Sequence, residues 1–173
     1  MTNKCKVTFL IIIILFFSVI LTPFQTCLVV EPRNKEGKFA IISLKQFPTF
    51  SIRYTHSIHL SEVEEYYKKT ENNHIQQTKL VYEDTAIGMP SNAEGGGDFV
   101  IRDDGKYMIE NMKRTFPFID VRVGQVVANH RFILNNNEYP LSKYFKKGTV
   151  VRLEIKKVSL WEKWKGVSVS GGG

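Results

Sequence analysis

The sequence predicts an all-β domain, an antiparallel sandwich or open barrel, standing behind one N-terminal apolar helix. Three observations predict it. Short β-branched and aromatic runs recur about every ten residues between Gly, Pro, Asn or Asp signals, as antiparallel strands and their turns do. No window beyond the N-terminus keeps a 3.6-residue apolar period for long. The chain also carries no charge between Lys6 and Glu31, a run that only an apolar surrounding accommodates.

That first element is "MTNKCKVTFLIIIILFFSVILTPFQTCLVV". As a helix, Val7 to Phe24 would reach about 27 Å at roughly 1.5 Å per residue, close to a thin hydrocarbon core. Lys4 and Lys6 keep the N-terminus inside, so the expectation is a single-pass anchor in the cell membrane, with lipid along residues 7–24 as its partner. The following domain then faces the extracytoplasmic side. A cleaved signal peptide shares this layout but wants small residues before the cut, and Leu21 to Cys27 offers no A-x-A pattern. Lipid attachment at Cys27 is a weaker alternative, since "FQTC" places Phe and Thr where a lipoprotein signal wants Leu and a small residue. Cys5 and Cys27 flank the run and stand too far apart to pair, so an exported domain must rest on its own core, as on a bacterial exterior.

Composition agrees with a packed domain. With 43% hydrophobic and 12% aromatic residues there is enough apolar surface to offset the entropy of ordering. The expected division is residues 1–27 as anchor or signal segment, 28–159 as the domain and 160–173 as a tail. Net charge is +7, concentrated late: residues 111–173 hold 12 basic and 4 acidic side chains, against 10 and 13 in residues 31–110. Nucleic acid, anionic lipid or an acidic partner all suit such an excess, and export sets nucleic acid aside. The basic stretch from Lys143 to Lys165 reads as a solvated face or as a contact with anionic lipid heads.

Taken in order, "LVVEP" and "KFAIISL" read as strands separated by Pro32 and Gly37. "FPTFSIRYTHSIHL" follows, then a return strand from Glu62, then an alternating run with Thr78, Leu80 and Tyr82 on one side. The loop "GMPSNAEGGG" leaves no room for a regular element. "DFVIRDDGKYMIENM" reads as a hairpin turning through Asp104-Gly105 in a type I′ turn. "FIDVRV", "VVANHRFIL" before the turn "NNN", and "TVVRLEIKKV" complete the strands, while "PLSKYFKK" reads as a short helical turn. The tail "LWEKWKGVSVSGGG" adds an edge strand or lies over the domain. Its Trp161, Trp164, Lys163 and Lys165 suit either end-strand packing or a membrane interface.

The stretch from Phe50 to Tyr67 is the chemically unusual one. Period two puts Phe50, Ile52, Tyr54, His56, Ile58 and Leu60 on one face, and Ser51, Arg53, Thr55, Ser57, His59 and Ser61 on the other. His56 and His59 therefore diverge and share no metal ion, and adjacent His56 and Ser57 form no nucleophile and base pair by themselves. A tight turn at Ser61 and Glu62 would set His56 opposite Tyr67, with Glu65 diagonal to it on the same inward face. The expected result is a polar network of His56, Glu65, Tyr54 and Tyr67, read either as a fixer of strand register or as the floor of a small-molecule pocket rimmed by "GMPSNAEGGG". An outer-face hydrolase with His56 as base and Glu65 as its orienting partner is the alternative.

Other signals carry less. His130 either reaches the same pocket from another strand or is structural. "DFVIRDDG" lacks the D-x-D-x-D-G spacing of a calcium loop, and "AEGGGDF" has no helix after it to cradle phosphate, so no metal or other cofactor is expected.

The residues Phe50-x-Ile52-x-Tyr54-Thr55-His56-Ser57-Ile58, then Val63-x-Glu65-x-Tyr67, Gly88-Met89-Pro90, Arg114, His130 and Gly148 resemble a bacterial family, the domain of unknown function 1850. The resemblance runs over nearly all of residues 28–158. It implies export, a small β-rich domain, and an accessory role beside the membrane subunits of a TRAP-type solute transporter of the TAXI branch. It marks His56, Ser57, Glu65, Gly88 and Pro90 as binding candidates and no residue as catalytic. Ala86 and Ile87 stand where the family tends to carry glycine and alanine.

Overall fold

The computed structural model describes residues 3–58, 60–84, 89–93 and 96–169. Helix α1 (Asn3–Leu21) takes up the apolar run. It ends short of the expected Phe24, because Pro23 disfavours helical geometry in the residue before it and β1 opens at Gln25. Its uncharged part, Val7 to Leu21, reaches about 22 Å at roughly 1.5 Å per residue. Among the described residues no helix is long and apolar enough to cross a membrane.

The strands in chain order are β1 (Gln25–Pro32), β2 (Ala40–Ser43), β3 (Thr49–Thr55), β4 (Glu62–Lys69), β5 (Ile75–Tyr82), β6 (Asp98–Ile101) and β7 (Tyr107–Glu110). They continue with β8 (Thr115–Phe116), β9 (Phe118–Arg122), β10 (Arg131–Leu134), β11 (Asn137–Pro140) and β12 (Val150–Val158). Helix α2 (Leu160–Lys165) and β13 (Val167–Ser168) follow. The first sheet runs β13-β2-β1-β12-β9, and the second runs β11-β10-β3-β4-β5-β7-β6 with β8 also on β5. Neighbours are antiparallel apart from β13 beside β2, and neither sheet closes on itself.

The two sheets share one core. Leu28 and Val30 of β1, Ile42 of β2, and Leu153 and Ile155 of β12 pack with Phe50 and Ile52 of β3, Ile75 of β5, and Phe132 and Leu134 of β10. Each strand contributes every second residue, as the pleat requires. A smaller cluster of Val63, Leu80, Tyr82, Ile109 and Met112 lies further along the second sheet, and Tyr54 packs against both clusters. Between them the chain changes sheets: β8 lies on β5, Pro117 interrupts the ladder, and β9 pairs with β12. Proline has no N–H to donate, so a corner is where it costs least.

One turn differs from expectation. The β6–β7 loop closes with the Arg102 N–H donating to the Lys106 carbonyl at 2.8 Å, and only Gly105, not Asp104, takes positive φ. The type I′ pattern belongs instead to Asn135 and Asn136, both at positive φ between β10 and β11. "VVANHRFIL" is a strand only from Arg131 to Leu134. The basic stretch also divides. Lys156 and Lys157 pair with Cys27 and Thr26 near the start of β1, while Lys146 and Lys147 precede the opposite end of β12. Eight strand steps, about 26 Å, separate the ends of that strand.

Candidate functional site

β3 and β4 form the hairpin that carries the site, and its register is not the expected one. Phe50 pairs with Tyr67, Ile52 with Glu65, Tyr54 with Val63 and Thr55 with Glu62. The strand ends at Thr55, and the chain turns back more widely before Glu62, with the His56 N–H donating to the Ser61 carbonyl and the Leu60 N–H to the His56 carbonyl. Leu60 takes positive φ there, and Ile58 and Leu60 are exposed rather than inward. Glu65 is thus opposite Ile52, four positions before His56, or about 13 Å along a strand. The register therefore does not set His56 opposite Tyr67 or diagonal to Glu65 as expected.

The inward parity nevertheless holds, because the wider turn shifts the pairing by an even number. Tyr54, Glu65 and Tyr67 share one face, and they line a cavity of about 460 Å³ at the seam between the two apolar clusters. The Tyr67 hydroxyl donates to Glu65 Oε2 at 2.6 Å. Leu80, Met89, Pro90 and Met112 form the apolar side, while Gln77 adds a polar side chain. Arg114, Phe116, Phe118, Ile119 and Asp120, from the segment that changes sheets, close the opposite wall. The Gln77 N–H donates to the Arg114 carbonyl at 2.9 Å, which fixes Arg114 beside the carboxylate. Pro90 is held at the rim by its carbonyl, which accepts from the Tyr82 hydroxyl.

The electrostatics follow from this enclosure. Burial pushes the Glu65 carboxyl above the usual range, against the Tyr67 hydrogen bond and the Arg114 charge, which pull it down. The Tyr67 and Tyr54 hydroxyls are both held protonated, by burial first and by the Glu65 charge second. Asp120 is committed elsewhere: Arg152 reaches its two oxygens at 2.8 and 2.9 Å and holds its carboxyl below the usual range. His130 stacks on Tyr54, ring centroids 5.0 Å apart, with burial lowering its imidazole, so it backs the cavity wall as a neutral ring.

Of the residues singled out in the sequence, Tyr54, Glu65, Tyr67 and Pro90 meet in the cavity. His56 is half-buried at the mouth of the hairpin turn and Ser57 is exposed within it; neither is among the cavity residues. Gly88, with Ala86 and Ile87, lies outside the described residues. Gln77, Met112, Phe116 and Phe118 were not legible as site residues. The one available signal was the proline inside "TFPFID", which marks a corner where two flanking aromatics leave the regular sheet. A second depression, of about 470 Å³, lies on the outer face of the second sheet, lined in part by Ser51, Arg53 and Glu64. Arg53 and Glu64 there already satisfy one another: Arg53 reaches Glu64 at 2.9 Å and Glu138 at 2.8 Å, Ser51 donates to Glu64, and Lys79 lies over the Tyr66 ring. Among the described residues no group of three or more His, Cys, Asp or Glu is placed to hold a metal ion.

The fold and site define a β-rich, mainly antiparallel domain with a half-buried carboxylate facing a cavity between open sheets. The chain belongs to the family of the domain of unknown function DUF1850, whose family model matches residues 50–141. That span opens on the hairpin carrying Tyr54, Glu65 and Tyr67 and ends at Leu141 after β11. Neither the curated proteins nor the solved structures contain a match to the chain.

Proposed function

We propose that this protein is a membrane-anchored, extracytoplasmic binding domain, a two-layer β-sandwich that holds a small molecule in the cavity at Glu65 and serves a TRAP-type solute transporter as an accessory. The observation that carries the binding reading is the carboxylate itself. An acid kept half-buried at a cavity of about 460 Å³, within the size range of small-molecule sites, costs stability unless a ligand or partner uses it. Two features support the membrane setting. From Val7 to Leu21 most side chains of α1 are apolar and exposed, Phe16 and Val19 among them, and lipid is the surrounding that suits such a surface. Lys4 and Lys6 at its start fit an inside N-terminus. The transporter role is supported by the resemblance in the Tyr54 to Tyr67 motif.

Hydrolysis would ask His56 and Glu65 to act together. The register separates them, and the Glu65 carboxylate is engaged by Tyr67, so no observation favours that reading over binding. The experiment is native mass spectrometry of the full chain in detergent, beside an uptake assay in a deletion strain. A small molecule should be retained by the wild type and lost on Phe118→Asp, a change at an exposed cavity wall. No retained molecule, no thermal shift with a metabolite library, and unchanged uptake would together end the proposal.

A further inference from the structure

The cavity is lined by two groups of opposite charge that are not joined in a direct ion pair. Glu65 comes from β4 and Arg114 from the start of the segment that changes sheets, and both line the same space. Among the described residues they form no ion pair within 4.0 Å. Arg114 is exposed, and its guanidinium lies 5.5 Å from the Phe116 ring, at the wall of the cavity. The third charged lining residue, Asp120, is occupied by Arg152. One inward acid and one cation on the same cavity therefore remain for a ligand to bridge.

Apart from Gln77, the rest of the lining is apolar or aromatic, with Leu80, Met89, Met112, Phe116 and Phe118 among it. We infer that the ligand is a small zwitterion with an apolar side chain, an α-amino acid of about leucine to phenylalanine size, its ammonium on Glu65 and its carboxylate on Arg114. This rests on the cavity being a binding site. The aromatic rings of Tyr54 and Tyr67 beside Glu65 suit an ammonium group, which is attracted to ring faces as well as to the carboxylate. The planar guanidinium suits a carboxylate that it can grip with two parallel hydrogen bonds. An ammonium arriving at Glu65 favours the ionised carboxylate, so binding should release a proton wherever the free site holds that acid protonated.

The test titrates the full chain, in detergent or nanodiscs, with L-phenylalanine, phenethylamine and 3-phenylpropionate by calorimetry. L-phenylalanine should bind at least tenfold more tightly than either analogue, with heats that depend on the ionisation enthalpy of the buffer. Glu65→Gln should erase its advantage over 3-phenylpropionate, and Arg114→Gln its advantage over phenethylamine. Arg114 is exposed, so its variant tests the assignment even where the Glu65 change perturbs folding. Equal binding of the three compounds would overturn the inference. Absence of binding by all three, while native mass spectrometry still shows a retained molecule, would overturn the ligand class and leave the cavity as a site. Absence of both would overturn the two readings together.

Discussion

At Glu65 two effects oppose each other. Desolvation favours the protonated acid, while the Tyr67 hydroxyl and the Arg114 charge favour the carboxylate, and desolvation wins. The folded state therefore holds the Glu65 proton to higher pH than the unfolded chain, whose value is near 4.5. Below that value both states are protonated and the group contributes nothing. As pH rises from there through the folded value, the unfolded chain gives up its proton first and stability falls; above the folded value the penalty is complete. Thermal unfolding of Glu65→Gln across that window should lack this decline and exceed wild type at pH 7. A variant that follows the wild-type slope would show that Glu65 is not the group responsible. Period-two alternation sorted Tyr54, Glu65 and Tyr67 to one face correctly, because face depends only on parity. It misplaced His56, because a strand pattern carries no mark of where the strand stops.

Individual elements show which local rules can be trusted. Asn135 and Asn136 turn the β10–β11 hairpin because asparagine tolerates positive φ, and that turn was readable. Helix α2 was not read, although Ser159-x-x-Glu162 is a capping box: the Ser159 hydroxyl accepts from the Glu162 N–H at 3.2 Å, and Glu162 accepts from the Ser159 N–H at 2.8 Å. Ser159→Ala should cost about 1 kcal/mol in chemical denaturation, a loss of the size typical of an N-cap. Gly97 is stricter. Its φ is +125°, and a Cβ there would stand 2.4 Å from the Glu110 carbonyl across the β6–β7 pair. Gly97→Ala should therefore destabilise by more than about 1 kcal/mol, whereas Gly37→Ala, which meets no atom within 4 Å, should cost less; a reversed order in thermal melts would contradict the packing described.

For the whole molecule, the shared core is the source of cohesion and α1 is the part outside it. Phe132 is fully buried between the sheets, 6.4 Å from Phe50 by ring centroids, and Phe132→Ala should cost about 3 to 5 kcal/mol by leaving a cavity that neighbours fill only in part. The membrane proposal has a direct optical test, because the chain's two tryptophans both lie on α2, which contacts α1. Trp161 and Trp164 lie with tilted rings, centroids 5.2 Å apart, beside Lys163 and Lys165. In vesicles containing anionic lipid, their fluorescence should be quenched by lipids brominated near the headgroup and spared by lipids brominated at the chain ends. Full exposure to an aqueous quencher would place α2 away from the bilayer. Neutralising Lys156 and Lys157 should weaken association with such vesicles, and neutralising Lys146 and Lys147 should not, since β12 carries the two pairs to opposite ends.

The amino-acid order by itself determined that strands dominate, that one N-terminal segment is apolar throughout, that asparagines turn the chain at β10–β11, and that one inward face carries an acid between tyrosines. Those features depend on neighbours two to four residues apart. Register, and with it the membership of the cavity, was decided only in three dimensions. A slip by an even number of residues leaves every side chain on its own face, so local pattern is blind to it, whereas the 5.4 Å stack of Phe50 on Tyr67 selects one pairing. The same holds at Pro117: the sequence shows a break, but only the packing of β9 beside β12 brings Arg114, Phe116 and Phe118 around to face Glu65.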